Sequence, residues 1–175
     1  MIKLLVGLGN PGKQYDKTRH NVGFLFLDKL VASCREDWSD QAKFLGCTSV
    51  VNINNRDIRL LKPMTYMNES GRSVIAVVKY FNMSVDDVLV VHDDLELCVG
   101  EWKVKYSGGH GGHNGVRSIQ ANLGGADFHR IRLGIGRPAV GKSVADYVLS
   151  QSSSDEYEKI QEAIDFSIAH VRSIL

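Results

Sequence analysis

Cysteine is scarce. Cys34, Cys47 and Cys98 stand far apart with no C-x-x-C spacing, and an odd, scattered set builds no disulfide framework, so a reducing cytoplasm is the expected setting. Proline is equally sparse, with three residues, and the only low-complexity stretch is Ser150-Gln151-Ser152-Ser153-Ser154, which reads as a loop before the last helix. No internal repeat is present, and nothing approaches the ~20 apolar residues of a membrane span. The run Ile2–Leu8 lacks the long apolar region and small-residue cleavage site of a signal peptide. Net charge is also nearly absent: 21 Lys plus Arg against 20 Asp plus Glu leave +1, which gives no global pull towards nucleic acid or membrane.

What is present is a globular composition, 43% hydrophobic and 23% charged over 175 residues. That length suits one domain spanning residues 1–175, with no internal boundary. The balanced charge hides a segregation. Residues 1–100 carry 12 basic and 12 acidic side chains, residues 101–142 carry 7 and 2, and residues 143–175 carry 2 and 6. A basic block therefore lies beside an acidic C-terminal segment.

Short β-branched or leucine-rich runs predict strands at Ile2–Leu8, Thr48–Ile53, Ile58–Leu61 and Val88–His92. Trp102–Tyr106 and Phe128–Ile135 alternate, placing Lys103 and Lys105, and Arg130 and Arg132, opposite their apolar neighbours. Helical periodicity marks Asn21–Cys34, Ser70–Phe81, Asn114–Leu123 and Asp155–Leu175, the last opened by a Ser153–Glu156 capping box. Strands interleaved with helices predict an α/β fold, a single three-layer α/β/α domain with a mixed central β-sheet.

Three motifs point elsewhere. Gly7-Leu8-Gly9-Asn10-Pro11-Gly12 fits G-x-G-x-x-G, but Lys13 to His20 intervene before the helix whose N-terminus would meet a pyrophosphate. Gly136-Arg137-Pro138-Ala139-Val140-Gly141-Lys142-Ser143 fits G-x-x-x-x-G-K-[ST], the pattern of a nucleotide hydrolase using Lys142 and Ser143. Only 32 residues follow it, too few for such a core, and a Lys-Ser turn opening a short helix is the plainer reading. His92, Asp93, Asp94, His110 and His113 hold metal-ligand chemistry without metal-ligand spacing, so no metal and no cofactor is expected.

The residues that fit together chemically are others. His20 stands at a loop-to-helix junction, where a titratable imidazole meets solvent and substrate. Asp93 ends a strand, where open α/β sheets place their ligand crevices, and a carboxylate there either caps a turn or fixes a histidine tautomer. Asn10, Asn68 and Asn114 offer amides that donate and accept, though each also suits a cap or turn. Gly108 to Gly115 holds five glycines among eight residues and leads into a helix N-terminus, a backbone built for close approach by a polar ligand.

Taken together, Gly7–Gly12, Tyr15, Thr18-Arg19-His20-Asn21, Lys62-Pro63, Tyr66-Met67-Asn68-x-Ser70-Gly71, His92-Asp93, Gly108–Gly115 and Phe128–Pro138 resemble the bacterial peptidyl-tRNA hydrolases. The blocks are collinear from residue 4 to about residue 150. The resemblance implies a cytoplasmic, usually monomeric enzyme that cleaves the ester between a peptide and the 3′ ribose of tRNA, recycling tRNA from abandoned translation. It implies that His20 is the general base, that Asp93 orients it, and that Asn10 distinguishes peptidyl from unblocked aminoacyl substrates. By the same likeness, Asn68 and Asn114 hold the peptide backbone and the 3′ terminus, Tyr15 and Tyr66 line the cleft, and Lys105 and Arg132 clamp the 5′ phosphate. Asp94, Cys98 and Tyr66 stand where the family commonly has Glu, Pro and Phe. A tRNA-binding module without catalysis is the remaining alternative.

Overall fold

The computed structural model describes residues 1–175. Its centre is one seven-stranded sheet: β1 (Leu4–Gly7), β2 (Ser39–Gln41), β3 (Gly46–Ile53), β4 (Arg56–Pro63), β5 (Val88–Asp94), β6 (Trp102–Tyr106) and β7 (His129–Gly134), in the order β2-β3-β4-β1-β5-β7-β6. The four central strands, β4, β1, β5 and β7, run parallel, and the antiparallel β3, β2 and β6 extend the sheet at its sides. Helices α1 (Val22–Cys34) and α5 (Ser154–Ile174) cover one face, α2 (Ser70–Tyr80) and α3 (Asn114–Leu123) the other, and a short α4 (Val144–Val148) sits near the strand ends. The expected three-layer mixed α/β architecture is the one observed.

β1 is apolar at successive positions because both of its faces are covered. Leu5 joins the larger core with Phe26, Leu27 and Leu30 of α1 and Ile164 and Ile168 of α5. Leu4 and Val6 point the other way, into the core shared with Val74 and Val77 of α2 and Val116 and Ile119 of α3. Asn54 and Asn55, both at positive φ (52° and 61°), form the tight turn between β3 and β4, the backbone of a type I′ hairpin.

Strand β2 was not expected, since Ser-Asp-Gln has neither alternation nor β-branched residues; pairing with Gly46–Thr48 of β3 alone holds it. The alternation in β6 also has a different outcome. Val104 and Tyr106 are 45% and 52% exposed while Lys105 is half-buried, because β6 is an edge strand whose apolar side packs on α5 at Trp102, against His170, and leaves the other two positions open. Arg130 is buried: its guanidinium donates to the carbonyls of Ser107 (2.5 Å), Gly108 (2.7 Å) and Gly109 (3.0 Å), so it holds the glycine loop from beneath.

Candidate active site

The glycines of the first motif serve packing. A Cβ on Gly7 would lie 2.3 Å from the Gly23 carbonyl oxygen, and one on Gly23 would lie 2.4 Å from Leu8 N and 2.5 Å from Val91 O. The first turn of α1 can therefore rest directly on the C-terminal ends of β1 and β5. Residues 13–21 contain two 3-10 turns instead of continuing the helix backwards, so the first turn of α1 meets the Gly7–Gly12 loop through Gly23, packed on Gly7 and Leu8. What the close approach delivers is the turn Arg19–Asn21, set over the sheet edge where Asp93 stands next to the end of β5.

His20 and Asp93 are both buried, and His20 Nδ1 lies 2.9 Å from each carboxylate oxygen of Asp93. His113 completes the group, its Nε2 lying 2.8 Å from Asp93 Oδ1. Its other nitrogen, Nδ1, accepts from Gly115 N (3.1 Å) and Val116 N (3.3 Å) as the N-cap of α3. A nitrogen that accepts two N–H bonds carries a lone pair, so the ring hydrogen of His113 sits on Nε2 and is donated to Asp93. Asp93 thus receives two imidazole N–H donors, and His20 Nε2, which has no protein partner, is left as the open atom on the cleft.

The electrostatics follow from these contacts. Burial disfavours the Asp93 charge, but His20 and His113 hold its carboxyl well below the usual carboxylate range. Burial pulls the His20 pKa down while the Asp93 charge and hydrogen bond pull it up, and the net is a value raised above the ordinary 6.5. His92 packs edge-on against His113 and donates Nδ1–H to the Asp93 carbonyl at 2.7 Å. Complete burial, with His113 beside it, pushes the His92 pKa down to about 3.

The cleft at this edge has a volume of about 420 Å³ and contains His20, Asp93, Lys105, Asn114 and Arg132 of the expected residues on its walls. Arg132 Nε donates to Asp94 Oδ2 at 2.6 Å, and its two terminal nitrogens have no protein partner. Asn10 is buried and is not one of the residues lining the cleft. Its Oδ1 accepts from Met67 N (2.8 Å), leaving its Nδ2 to donate outward. Asn21 fixes it by a reciprocal pair, Asn10 N to Asn21 Oδ1 (2.8 Å) and Asn21 Nδ2 to Asn10 O (2.9 Å). Asn68 follows Met67 and is exposed. Tyr15, half-buried in the turn Lys13–Tyr15, and Tyr66, 61% exposed, do not line the cavity.

Two contributors were not singled out from sequence. Asn21 has no signature apart from its place beside His20. His113 stood only among candidate metal ligands and loop-shaping residues, and its N-cap role was hidden because histidine is not a usual capping residue. His20, Asp93 and His113 do bring their ligand atoms within 4.8 Å of one another. Asp93 and both ring nitrogens of His113 are already engaged in hydrogen bonds to one another, to His20 and to α3. The phosphate-loop pattern resolves as the plainer reading: Ser143 Oγ accepts from Asp146 N and caps the five-residue α4.

A family model described as "Peptidyl-tRNA hydrolase" matches residues 4–175. The peptidyl-tRNA hydrolase of Neisseria meningitidis serogroup A is 44% identical over 174 residues, 99% of this chain and 91% of that protein. That of Saccharophagus degradans is 47% identical over 174 residues, 99% of this chain and 88% of that one. The crystal structure of peptidyl-tRNA hydrolase from Acinetobacter baumannii aligns with a TM-score of 0.94 at 42% identity, covering 98% of this chain and 87% of that chain.

Proposed function

Because the chain belongs to the peptidyl-tRNA hydrolase family and hydrolyses peptidyl-tRNA, we propose that it does so with a water molecule activated by His20 over the C-terminal edge of the sheet. His20 Nε2 takes a proton from water as the oxygen attacks the ester carbonyl carbon. The ribose oxygen then leaves with the proton that His20 returns. Asp93 holds Nδ1–H and stabilises the imidazolium between these events. The observation that carries this reading is the double anchoring of Asp93 by His20 and His113, which fixes one tautomer of the base and leaves its lone pair on the cleft.

The strand order supports a direction for the substrate. Asn10 lies beyond β1, and Asn68 follows β4; Lys105 and Arg132 belong to β6 and β7 on the other side of Asp93. The peptide and its blocked amino group lie towards the asparagines, Asn10 Nδ2 donating to the acyl group, while Asn68 and Asn114 hold the peptide backbone and 3′ terminus and assist the oxyanion. The acceptor arm and its 5′ phosphate lie towards Lys105 and Arg132. Tyr15 and Tyr66 border the substrate outside the cavity itself. The enzyme acts as a cytoplasmic monomer on this reading; no helix is long and apolar enough to cross a membrane.

The test is release of an N-acetyl-aminoacyl group from tRNA, with EDTA present and unblocked aminoacyl-tRNA as control. His20→Ala abolishes release while keeping the fold by circular dichroism; retained activity sinks the assigned base. Equal cleavage of blocked and unblocked substrate defeats the role of Asn10. Binding of tRNA without cleavage by the unmodified protein would restore the non-catalytic reading.

A further inference from the structure

Arg19 precedes the proposed base, is 8% exposed, and has no part in the hydrolytic step. A guanidinium withdrawn from water is unfavourable by several kcal/mol unless its donors are met. Here Nη1 donates to Ser150 Oγ (2.7 Å) and Gln151 O (2.9 Å) and Nη2 donates to Glu156 Oε2 (2.9 Å), while Nε is buried without a partner, and the guanidinium carbon lies 4.2 Å from the centre of the Tyr147 ring. The backbone adds Arg19 N to Ser150 O (3.0 Å) and an antiparallel bridge between Thr18 and Gln151.

These partners belong to three segments. Tyr147 is in α4, and its hydroxyl donates to Ile135 O at 2.6 Å, just past β7. Ser150 and Gln151 form the connection to α5. Glu156 is the last residue of the α5 capping box, and the oxygen that takes Arg19 also accepts from Ser153 N at 3.0 Å. Val144, Ala145 and Val148 of α4 form part of the cleft wall. A three-residue 3-10 turn has few internal bonds with which to hold a side chain. Asn21 secures the turn bearing His20 on the Asn10 side, and Arg19 is its anchor on the α4–α5 side.

We infer that Arg19 is a positioning residue: it clamps the α4–α5 junction to the His20 turn, which sets the imidazole against Asp93 and fixes α4 as a wall of the cleft. This rests on His20 being the base. The planar fork is essential, because a lysine ammonium would reach one of these directions and could not stack on Tyr147 in the same way. The charged groups around it are Glu156 of α5 and, lining a cavity of about 620 Å³ with it, Asp146 and Lys142.

The experiment measures kcat, KM and the pH–rate profile on N-acetyl-aminoacyl-tRNA for Arg19→Met and Arg19→Lys, with thermal melts as the check on folding. Displacing a reacting group from outside the chemistry lowers kcat by about 10- to 100-fold, and the loss falls on kcat with KM little changed. The ascending limb, raised by Asp93, moves to lower pH as that contact loosens, and Arg19→Lys recovers part of both changes. A folded Arg19→Met with the parent kcat and limb overturns the inference. If Arg19→Met does not fold, Ser150→Ala/Glu156→Gln decides: a smaller loss of the same kind supports the clamp, and parent behaviour overturns it. His20→Ala is run alongside. Activity in that variant defeats the base assignment, whereas an inactive His20→Ala with unaffected clamp variants defeats only the role of Arg19.

Discussion

Replacing Asp93 by Asn is the most direct perturbation, because the change keeps shape and removes the charge and one of the two acceptors. Asp93 is 3% exposed, and His20 Nδ1 lies 2.9 Å from both of its oxygens. In the variant one of these atoms becomes an NH2. His113 cannot adapt, since its Nδ1 is committed to Gly115 N and Val116 N and its Nε2–H needs an acceptor, so the amide oxygen stays on that side. The amide NH2 then faces His20, which satisfies it by turning Nδ1 into an acceptor and moving its hydrogen to Nε2. The lone pair that should take the proton from water is gone. An isosteric Asp-to-Asn change that enforces the wrong tautomer lowers kcat by about 10⁴-fold in the Ser-His-Asp case; the same reasoning here gives about 10³- to 10⁴-fold, or about 4 to 5.5 kcal/mol of transition-state stabilisation. Single-turnover release of N-acetyl-aminoacyl groups from tRNA measures it, with KM and melting temperature as controls. The sign of the residual pH dependence is also set: without the Asp93 charge, burial alone acts on His20, and the limb falls from above 6.5 to below it. A folded Asp93→Asn enzyme within tenfold of the parent kcat, or one impaired in KM alone, would refute the tautomer argument.

The parent enzyme should lose activity as pH falls through a His20 pKa above 6.5; a pH–rate profile whose limb lies below that value contradicts the Asp93 contact. Lys105→Ala and Arg132→Ala should each weaken tRNA binding and reduce the slope of log K against log salt by about one unit, measured by filter binding; an unchanged slope removes that residue from the phosphate contacts. Gly23→Ala should destabilise by about 1 to 3 kcal/mol or more, because its Cβ meets backbone atoms at 2.4 and 2.5 Å; a urea melt with an unshifted midpoint would show that α1 can move. Burial and the Sγ–H bond to Asp40 push the Cys47 thiol up to about 11, so alkylation at pH 8 should label exposed Cys98 and spare Cys47, as read by peptide mass spectrometry.

The residues proposed to carry the chemistry were easier to recognise than those that hold them in place. His20 and Asp93 could be picked out because a histidine at a helix entry and a carboxylate at a strand end are positions where sheet topology exposes side chains. The α5 cap was equally legible, with Ser153 and Glu156 at capping-box spacing, and Gly124 at φ 77° ends α3 as its sequence required. Arg19 and Arg130 were not legible as anchors. Their partners are carbonyls and side chains from 21 to 137 residues away, and no local pattern encodes a contact of that separation.

Local physics written in the sequence thus determined the layers, most of the strands and helices and the segregated charge, and marked His20 and Asp93 as candidates, since these depend on periodicity, capping and composition within short windows. Tertiary structure alone decided that the Gly7–Gly12 motif serves helix-on-sheet contact, that β6 lies at an edge with Val104 and Tyr106 left exposed, and that His113 shares Asp93 with His20. Each of those depends on which atoms of distant segments are brought together across the fold, and that is set by the packing of the whole sheet.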